Sequence, residues 1–388
     1  MKKALAAILL FDLVALSYGI STLSISYLEA RIYFDEKNPT AFLANLGVSL
    51  LGQNDLGLRL PFVFLHLLSA ILLYLYALKI TKTKQDALYS LILFLLLPGT
   101  VASALCVNEA ALVIFLSLLI LCAYEYGFKK CFYVLLFLAL FVDGSFALLF
   151  LSFFFYALYK KNLSLVCFTI FLLALNINLY EFDYHGRPRG YFLDTLGVFA
   201  ACFSPLVFLY YFYVIYRFAF KPDKPLLWFV MTVSFLFCLV FSLRQRLYLE
   251  VFLPFCVLCT PLLISSLMAS YRIRLPKLRT SYTVFIQSAL IFLLFAYLVI
   301  IFNTFLYAFI KEPSKHFVYD YHRAKDLAFE LKNMGITGLK TDEAMQLRLK
   351  FYGLSFKDDL VLERTFKKSD LSINLGPHSE YYTLRRLK

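Results

Sequence analysis

Charge is scarce in this sequence. Only 16% of its 388 residues are charged, whereas 61% are hydrophobic and 43 are Phe; mean hydropathy is +0.75. A soluble core cannot accommodate that apolar load and a bilayer can. Metal-ligand spacing is also missing. The eight cysteines, Cys106, Cys122, Cys131, Cys167, Cys202, Cys238, Cys256 and Cys259, sit inside or at the ends of apolar segments and read as small buried hydrophobes. No set of His, Cys and Asp residues has ligand spacing, so no resident metal is indicated. A divalent cation shared by Glu29 with Asp35 or Glu36 and phosphate oxygens is a minor option. There is no Gly-rich nucleotide motif, which weighs lightly against a nucleotide-sugar donor. No repeat of fixed period and no Gly/Ser- or Pro-rich linker is visible. The first apolar run lacks a small-x-small cleavage site, exceeds a typical signal-peptide core and is interrupted by Asp12, so it is expected to remain as a span.

The charge that is present is mostly positive, +13 net, and its placement decides its meaning. Lys2 and Lys3, Lys79 to Lys84, Lys129 and Lys130, Lys160 and Lys161, Arg217 to Lys224, and Arg272 to Arg279 all fall between apolar segments. With the N-terminus in the cytoplasm each group lies in a cytoplasmic loop, the positive-inside pattern. The basic balance is therefore an orientation signal, and no nucleic-acid partner is implied.

Apolar segments fall at residues 4 to 24, 60 to 80, 87 to 107, 110 to 127, 131 to 142, 145 to 159, 163 to 180, 192 to 216, 225 to 243, 247 to 270 and 282 to 310. The fifth and sixth are compressed, with Asp143-Gly144 as the expected bend. The expected fold is an all-α polytopic membrane protein with about eleven transmembrane helices over residues 1 to 310 and a first outer loop at 25 to 59. Residues 311 to 388 change character. YDYHRAKDLAFELKNMG has Ala324, Leu327 and Leu331 at helical spacing before Gly335. This reads as a small extracytoplasmic α/β domain of roughly eighty residues, or else as a loosely ordered tail. Inner-membrane placement follows, with the N-terminus cytoplasmic and the C-terminus periplasmic.

The first outer loop collects the charge the rest of the chain avoids. Between Tyr27 and Pro61, Glu29, Asp35, Glu36 and Asp55 stand beside Arg31, Lys37 and Arg59. A carboxylate at the end of a span is partly desolvated, which raises its basicity toward an attacking hydroxyl. Neighbouring cations can hold a phosphate leaving group as its charge grows. Acid plus cations is the minimum set for glycosyl transfer from a phosphate-linked donor, and equally for a salt-bridged loop with no chemistry.

The segment YLEARIYFDEKNPTAFLANLGVSLLGQNDLGLRLP resembles the first outer loop of GT-C membrane glycosyltransferases, in particular the protein O-mannosyltransferase and aminoarabinose transferase group. In that family an acidic pair follows the first helix, then a lysine-proline element, a turn, an acid and Arg-Leu-Pro. Glu29-Ala30 matches the second acid, with Leu28 where the first usually stands. Lys37-Asn38-Pro39 matches the lysine-proline element, Leu51-Gly52 the turn and Leu58-Arg59-Leu60-Pro61 the close. The span from Glu29 to Lys37 is shorter than usual. Leu97-Pro98-Gly99 followed by Asn108-Glu109-Ala110, and FSLRQRLYLEVFLPFCVL with Arg246 near the family's lysine, are weaker echoes.

The resemblance implies a GT-C-like fold and an inverting transfer of sugar from a polyprenyl-phosphate donor to a lipid, glycan or protein acceptor, amid membrane lipids. Glu29 is the expected base, with Asp35 or Glu36 as the second carboxylate. Arg59, Arg244, Arg246, Arg187, Arg189 and Lys37 are the expected phosphate contacts, and Asn108, Glu109 and Tyr248 the acceptor or sugar contacts. Four of these have plain alternatives: a helix dipole partner for Glu109, a headgroup contact for Arg187 and Arg189, and the interfacial belt for Tyr248. His66 reads as a satisfied core histidine. The rival classes are a lipid-linked glycan flippase and a non-catalytic relative that binds lipid-linked sugar. Paired halves and midplane charges, usual in transporters, are not visible.

Overall fold

The computed structural model describes residues 2–180, 190–244, 249–365, 369 and 371–386. The chain is mostly helical. α1 (Lys2–Thr22) is followed by two shorter helices, α2 (Tyr27–Phe34) and α3 (Pro39–Leu51), and then by α4 (Asp55–Ile80). Next come α5 (Lys84–Leu96), α6 (Pro98–Leu105), α7 (Glu109–Glu125), α8 (Lys129–Ala139), α9 (Ala147–Tyr159) and α10 (Leu163–Tyr180). α11 (Phe192–Phe203), α12 (Pro205–Ala219), α13 (Leu226–Ser242), α14 (Leu249–Val257), α15 (Thr260–Ile273) and α16 (Thr280–Ile301) complete the apolar part. Beyond them lie α17 (Ala324–Asn333), β1 (Gly338–Lys340), α18 (Glu343–Phe351), β2 (Ser355–Thr365), β3 (Leu371–Leu375) and β4 (His378–Arg386).

Among the described residues, five helices are long and apolar enough to cross a membrane, or up to seven if two bent pairs each count as one span. The expected eleven are not reached, and the reason lies in helix length and proline. The segment at 87 to 107 breaks before Pro98, so α5 and α6 meet at 60°; the segment at 192 to 216 breaks before Pro205, and α11 and α12 meet at 108°. Proline removes an N–H and disfavours helix in the residue before it. Other apolar segments form helices of 17 residues or fewer, such as α7 and α13, which stand at the short end of spanning length. Asp143 takes the turn role expected of it, its Oδ1 accepting from Ser145 N at 2.7 Å at the head of a 3-10 turn, Gly144–Phe146.

The chain divides into two compact units. The first comprises Met1–Asp12, Phe64–Ala104 and Glu109–Tyr297. Its core is rich in buried aromatics: Phe199 and Tyr211 meet Phe235 edge-on, and Phe146 meets Phe255. Buried ionisable groups find partners here, as the cost of desolvation requires. Tyr297 donates to Asp12 Oδ1 at 3.0 Å, and His66 Nε2 lies 3.3 Å from Asp12 Oδ2 while its ring stacks on Phe94. Arg272 grips Asp86 through bonds of 2.6 and 2.8 Å.

The second unit comprises Leu13–Val63, Leu105–Asn108 and Leu298–Lys388. Its C-terminal part is an α/β layer, with a four-stranded sheet in the order β1-β2-β4-β3. β1 pairs parallel with β2, and the other pairs are antiparallel. Ala324, Leu327, Ala328 and Leu331 turn the apolar face of α17 into a core with Leu339, Leu349, Leu362 and Ile373, so the tail is ordered. Gly335, at φ +76°, follows the end of α17.

The first outer loop belongs to this same unit. Ile25 N donates to the Tyr352 hydroxyl at 2.9 Å, Arg348 Nε to Ile25 O at 2.9 Å, and Gln53 Nε2 to Phe351 O at 2.8 Å. Residues some three hundred positions apart are thereby bonded, which requires the loop and the C-terminal layer to share one side of the membrane. Within the loop, α3 crosses α4 closely. A Cβ on Gly47 would stand 2.2 Å from Gly57 O, so only glycine fits there. The opposite face of α3 exposes an apolar stripe of Phe42, Leu46 and Leu50.

Candidate functional site

The S-x-x-E pattern at Ser26–Glu29 forms a capping box at the start of α2. Ser26 Oγ accepts from Glu29 N at 3.2 Å, and Glu29 Oε2 accepts from Ser26 N at 2.9 Å. The same carboxylate meets Arg59 as a fork: Nε donates to Oε1 at 3.0 Å and Nη2 to Oε2 at 2.6 Å. Val107 N adds a bond to Oε1 at 2.9 Å. Both oxygens thus carry two donors each, and the side chain is 1% exposed. That leaves no lone pair for a cation or an incoming proton.

Arg59 is equally committed. Its remaining bonds go to Leu23 O at 3.1 Å and Ser24 O at 2.8 Å, and it is fully buried. Glu29 is the expected base and Arg59 an expected phosphate contact; in the structure the two are bonded to each other and link the residues after α1 to the start of α4. The charge pair is buried, so each partner depends on the other for compensation.

Asp55 lies one turn from Arg59, with Nη1 4.0 Å from its Oδ1. It also accepts from the Tyr352 hydroxyl at 2.6 Å and pairs with Lys325 at 3.1 Å. Burial, with Asp55 adding to it, pushes the Tyr352 phenol well above its ordinary pKa, so it stays a donor. These partners come from the C-terminal layer, and no local pattern in the sequence announces them.

Of the carboxylates expected from the first outer loop, the one that is exposed is Asp35. On α2 and its C-cap, Tyr27, Arg31 and Asp35 recur at i, i+4 and i+8 and so share one face. That face borders a cleft of about 720 Å³, closed by Thr341, Glu343, Gln346, Leu347 and Lys350 on and just before α18, and by Phe356. Arg31 and Asp35 are exposed. Lys350 stands with Nζ 4.3 Å above the Phe34 ring. The cleft therefore holds two accessible acids, Asp35 and Glu343, and two cations, Arg31 and Lys350, beside aromatic walls. Arg31 was legible as a candidate cation, whereas Lys350 and Gln346 were not, because only folding brings α18 to α2.

The remaining expected residues divide as follows. Glu36 Oε2 accepts from Asn38 Nδ2 at 2.8 Å, and Asn38 Oδ1 in turn caps α3 through Ala41 N at 2.7 Å. Lys37 is exposed beside them. Asn108 follows the Val107 amide that binds Glu29, and its Oδ1 is buried without a hydrogen-bond partner among the described residues. Glu109 opens α7, the position of a helix dipole partner. Arg244 is exposed and belongs to the first unit. Arg187, Arg189, Arg246 and Tyr248 lie outside the described residues. Among the described residues no group of three His, Cys, Asp or Glu side chains is placed to hold a metal ion.

No protein-family model matches this sequence, and no curated protein matches it. Solved structures do. The crystal structure of ArnT from Cupriavidus metallidurans in the apo state superposes with a TM-score of 0.57 at 14% identity, covering 91% of this chain and 85% of that one. The same protein bound to undecaprenyl phosphate gives 0.58 at 12% identity, covering 92% and 86%. At such identity the likeness is one of fold, and the chain is a multi-pass, helical protein with the ArnT-like GT-C fold and a small C-terminal sheet.

Proposed function

We propose that this chain is a membrane glycosyltransferase that moves a sugar from a polyprenyl-phosphate donor to a lipid, glycan or protein acceptor. The reaction would run at the periplasmic face of the inner membrane, with the N-terminus in the cytoplasm. The observation that carries this reading is the fold shared over nine-tenths of the chain with a structure holding undecaprenyl phosphate. The cleft supports it. An acceptor hydroxyl attacking the anomeric carbon must lose a proton while the C–O bond to phosphate breaks and the phosphate keeps the electron pair. Asp35, the exposed first-loop carboxylate of the cleft, is the proposed acceptor of that proton, and Arg31 and Lys350 are the cations that suit the departing phosphate. Glu29 and Arg59 hold the loop that presents them.

The test is purified protein in nanodiscs with a radiolabelled polyprenyl-phosphate sugar, read for sugar on an acceptor and for released polyprenyl phosphate. Transfer is expected; absence of both binding and turnover would overturn the proposal. A second reading, binding without turnover, is favoured by one observation. Leu28, at the family's first acidic position, is 59% exposed, and Glu29 beside it is closed. Retention of the labelled donor with no transfer under any acceptor would select that reading.

A further inference from the structure

The first unit holds an apolar groove of about 490 Å³, remote in composition from the polar cleft. Leu93 and Leu96 of α5, Leu263 and Leu267 of α15, and Leu290 and Leu293 of α16 line it, and its lining contains no acid. On α16 it runs from Thr283 to Leu293, about ten residues or roughly 15 Å at 1.5 Å per residue. That is half of a hydrocarbon core of about 30 Å, the depth of one leaflet.

One end of the groove is polar. Tyr271 and Thr283 border it there, on either side of the connection between α15 and α16. That connection reads RIRLPKLR, with Arg272, Arg274, Lys277 and Arg279 and no acid. Arg272 is engaged by Asp86. Arg279 stands 5.4 Å over the Tyr271 ring that borders the groove and donates to Arg274 O at 2.9 Å. Arg274 lies 4.4 Å over Tyr282, and both Arg274 and Lys277 are exposed. The arrangement is a one-leaflet apolar slot with surplus positive charge at its mouth.

The geometry points to a binding site for an anionic diacyl phospholipid of the leaflet facing the 272–279 connection. An acyl chain fills the groove, and the headgroup phosphate meets Arg274 and Lys277. Charge complementarity carries the choice of occupant: a zwitterionic lipid presents the same phosphate but brings its own ammonium charge beside it, so it gains less from the cations. This site is independent of the glycosyltransferase reading and holds whether or not sugar is transferred.

The experiment is native mass spectrometry of the detergent-purified full chain with phosphatidylglycerol or phosphatidylcholine of identical acyl chains, paired with thermal melting. Wild type is expected to retain phosphatidylglycerol preferentially and to melt higher in its presence. Arg274→Gln/Lys277→Gln, two exposed positions, weakens that binding by roughly tenfold or more and phosphatidylcholine binding by less, so that the preference is lost. Leu290→Trp, on the lipid-facing rim, is expected to obstruct the slot and weaken both lipids. Equal retention of the two lipids by wild type, or an unchanged preference in the double variant, overturns the site. Displacement of phosphatidylglycerol by equimolar polyprenyl phosphate overturns the assignment of the occupant.

Discussion

Replacing Glu29 by Gln tests what the buried pair is for. The carboxylate accepts from Arg59 Nε and Nη2, Ser26 N and Val107 N, so four donors converge on two oxygens. An amide offers one oxygen and turns an NH2 toward the donors at the other position. Arg59, 0% exposed, simultaneously loses its principal countercharge. Breaking a buried pair from one side costs about 3–5 kcal/mol, a large part of the roughly 5–15 kcal/mol that holds a folded protein together. Glu29→Gln should therefore lower the melting temperature of purified protein by several degrees. It should also speed hydrogen exchange at the Ser26 and Val107 amides. Glu29→Leu/Arg59→Met, which removes both charges, should be less destabilised than the two single changes summed. A Glu29→Gln protein that melts with wild type yet has lost transfer would refute the reasoning and return Glu29 to the role of base.

Three further outcomes are expected. Asp35→Asn should leave melting within about 0.5 kcal/mol of wild type, as an exposed change does. It should slow transfer by roughly 10²–10⁴-fold if Asp35 takes the proton, and unchanged turnover with the labelled donor would remove it. Gly47→Ala drives a methyl to 2.2 Å from Gly57 O, so α3 and α4 must separate at a cost of about 1–3 kcal/mol; melting of the variant measures it, and an unshifted midpoint would contradict the close crossing. Burial, with His316 beside it, pushes the His322 imidazole down to about 4. The unfolded chain then binds the proton first, so stability is full above about pH 6.5 and declines as pH falls toward 4, by up to ~3 kcal/mol. Melting against pH should show that decline, and His322→Asn should flatten it.

The Glu29–Arg59 arrangement also accounts for how one loop keeps its shape in a protein with so little polar material. Ser24 N bonds to Tyr321 O at 2.6 Å, and Arg59 holds the carbonyls of Leu23 and Ser24. The chain leaving α1 therefore has its backbone groups satisfied without relying on water. Asp55, Tyr352 and Lys325 repeat the device at the other end of the loop. Two clamps with partners distant in sequence give the Tyr27–Arg31–Asp35 face a fixed support opposite α18. On the proposed function that rigidity matters, since small displacements of reacting groups cost large factors in rate.

Sequence alone determined the solvent, the helical class and the place where polar chemistry concentrates. Each follows from local composition: apolar runs need a bilayer, Ala324 to Leu331 has one helical face, Asp143-Gly144 turns, and Ser26–Glu29 caps. Sequence also placed Glu29 and Arg59 in one loop. Tertiary structure decided their partners, because the donors that reach Glu29 include Val107, which arrives from another segment. It also showed breaks at Pro98 and Pro205 that hydropathy does not register. The cleft around Asp35 exists only because α18 packs on α2 across some three hundred residues of chain, a pairing made by burial and hydrogen bonds that no sequence window contains.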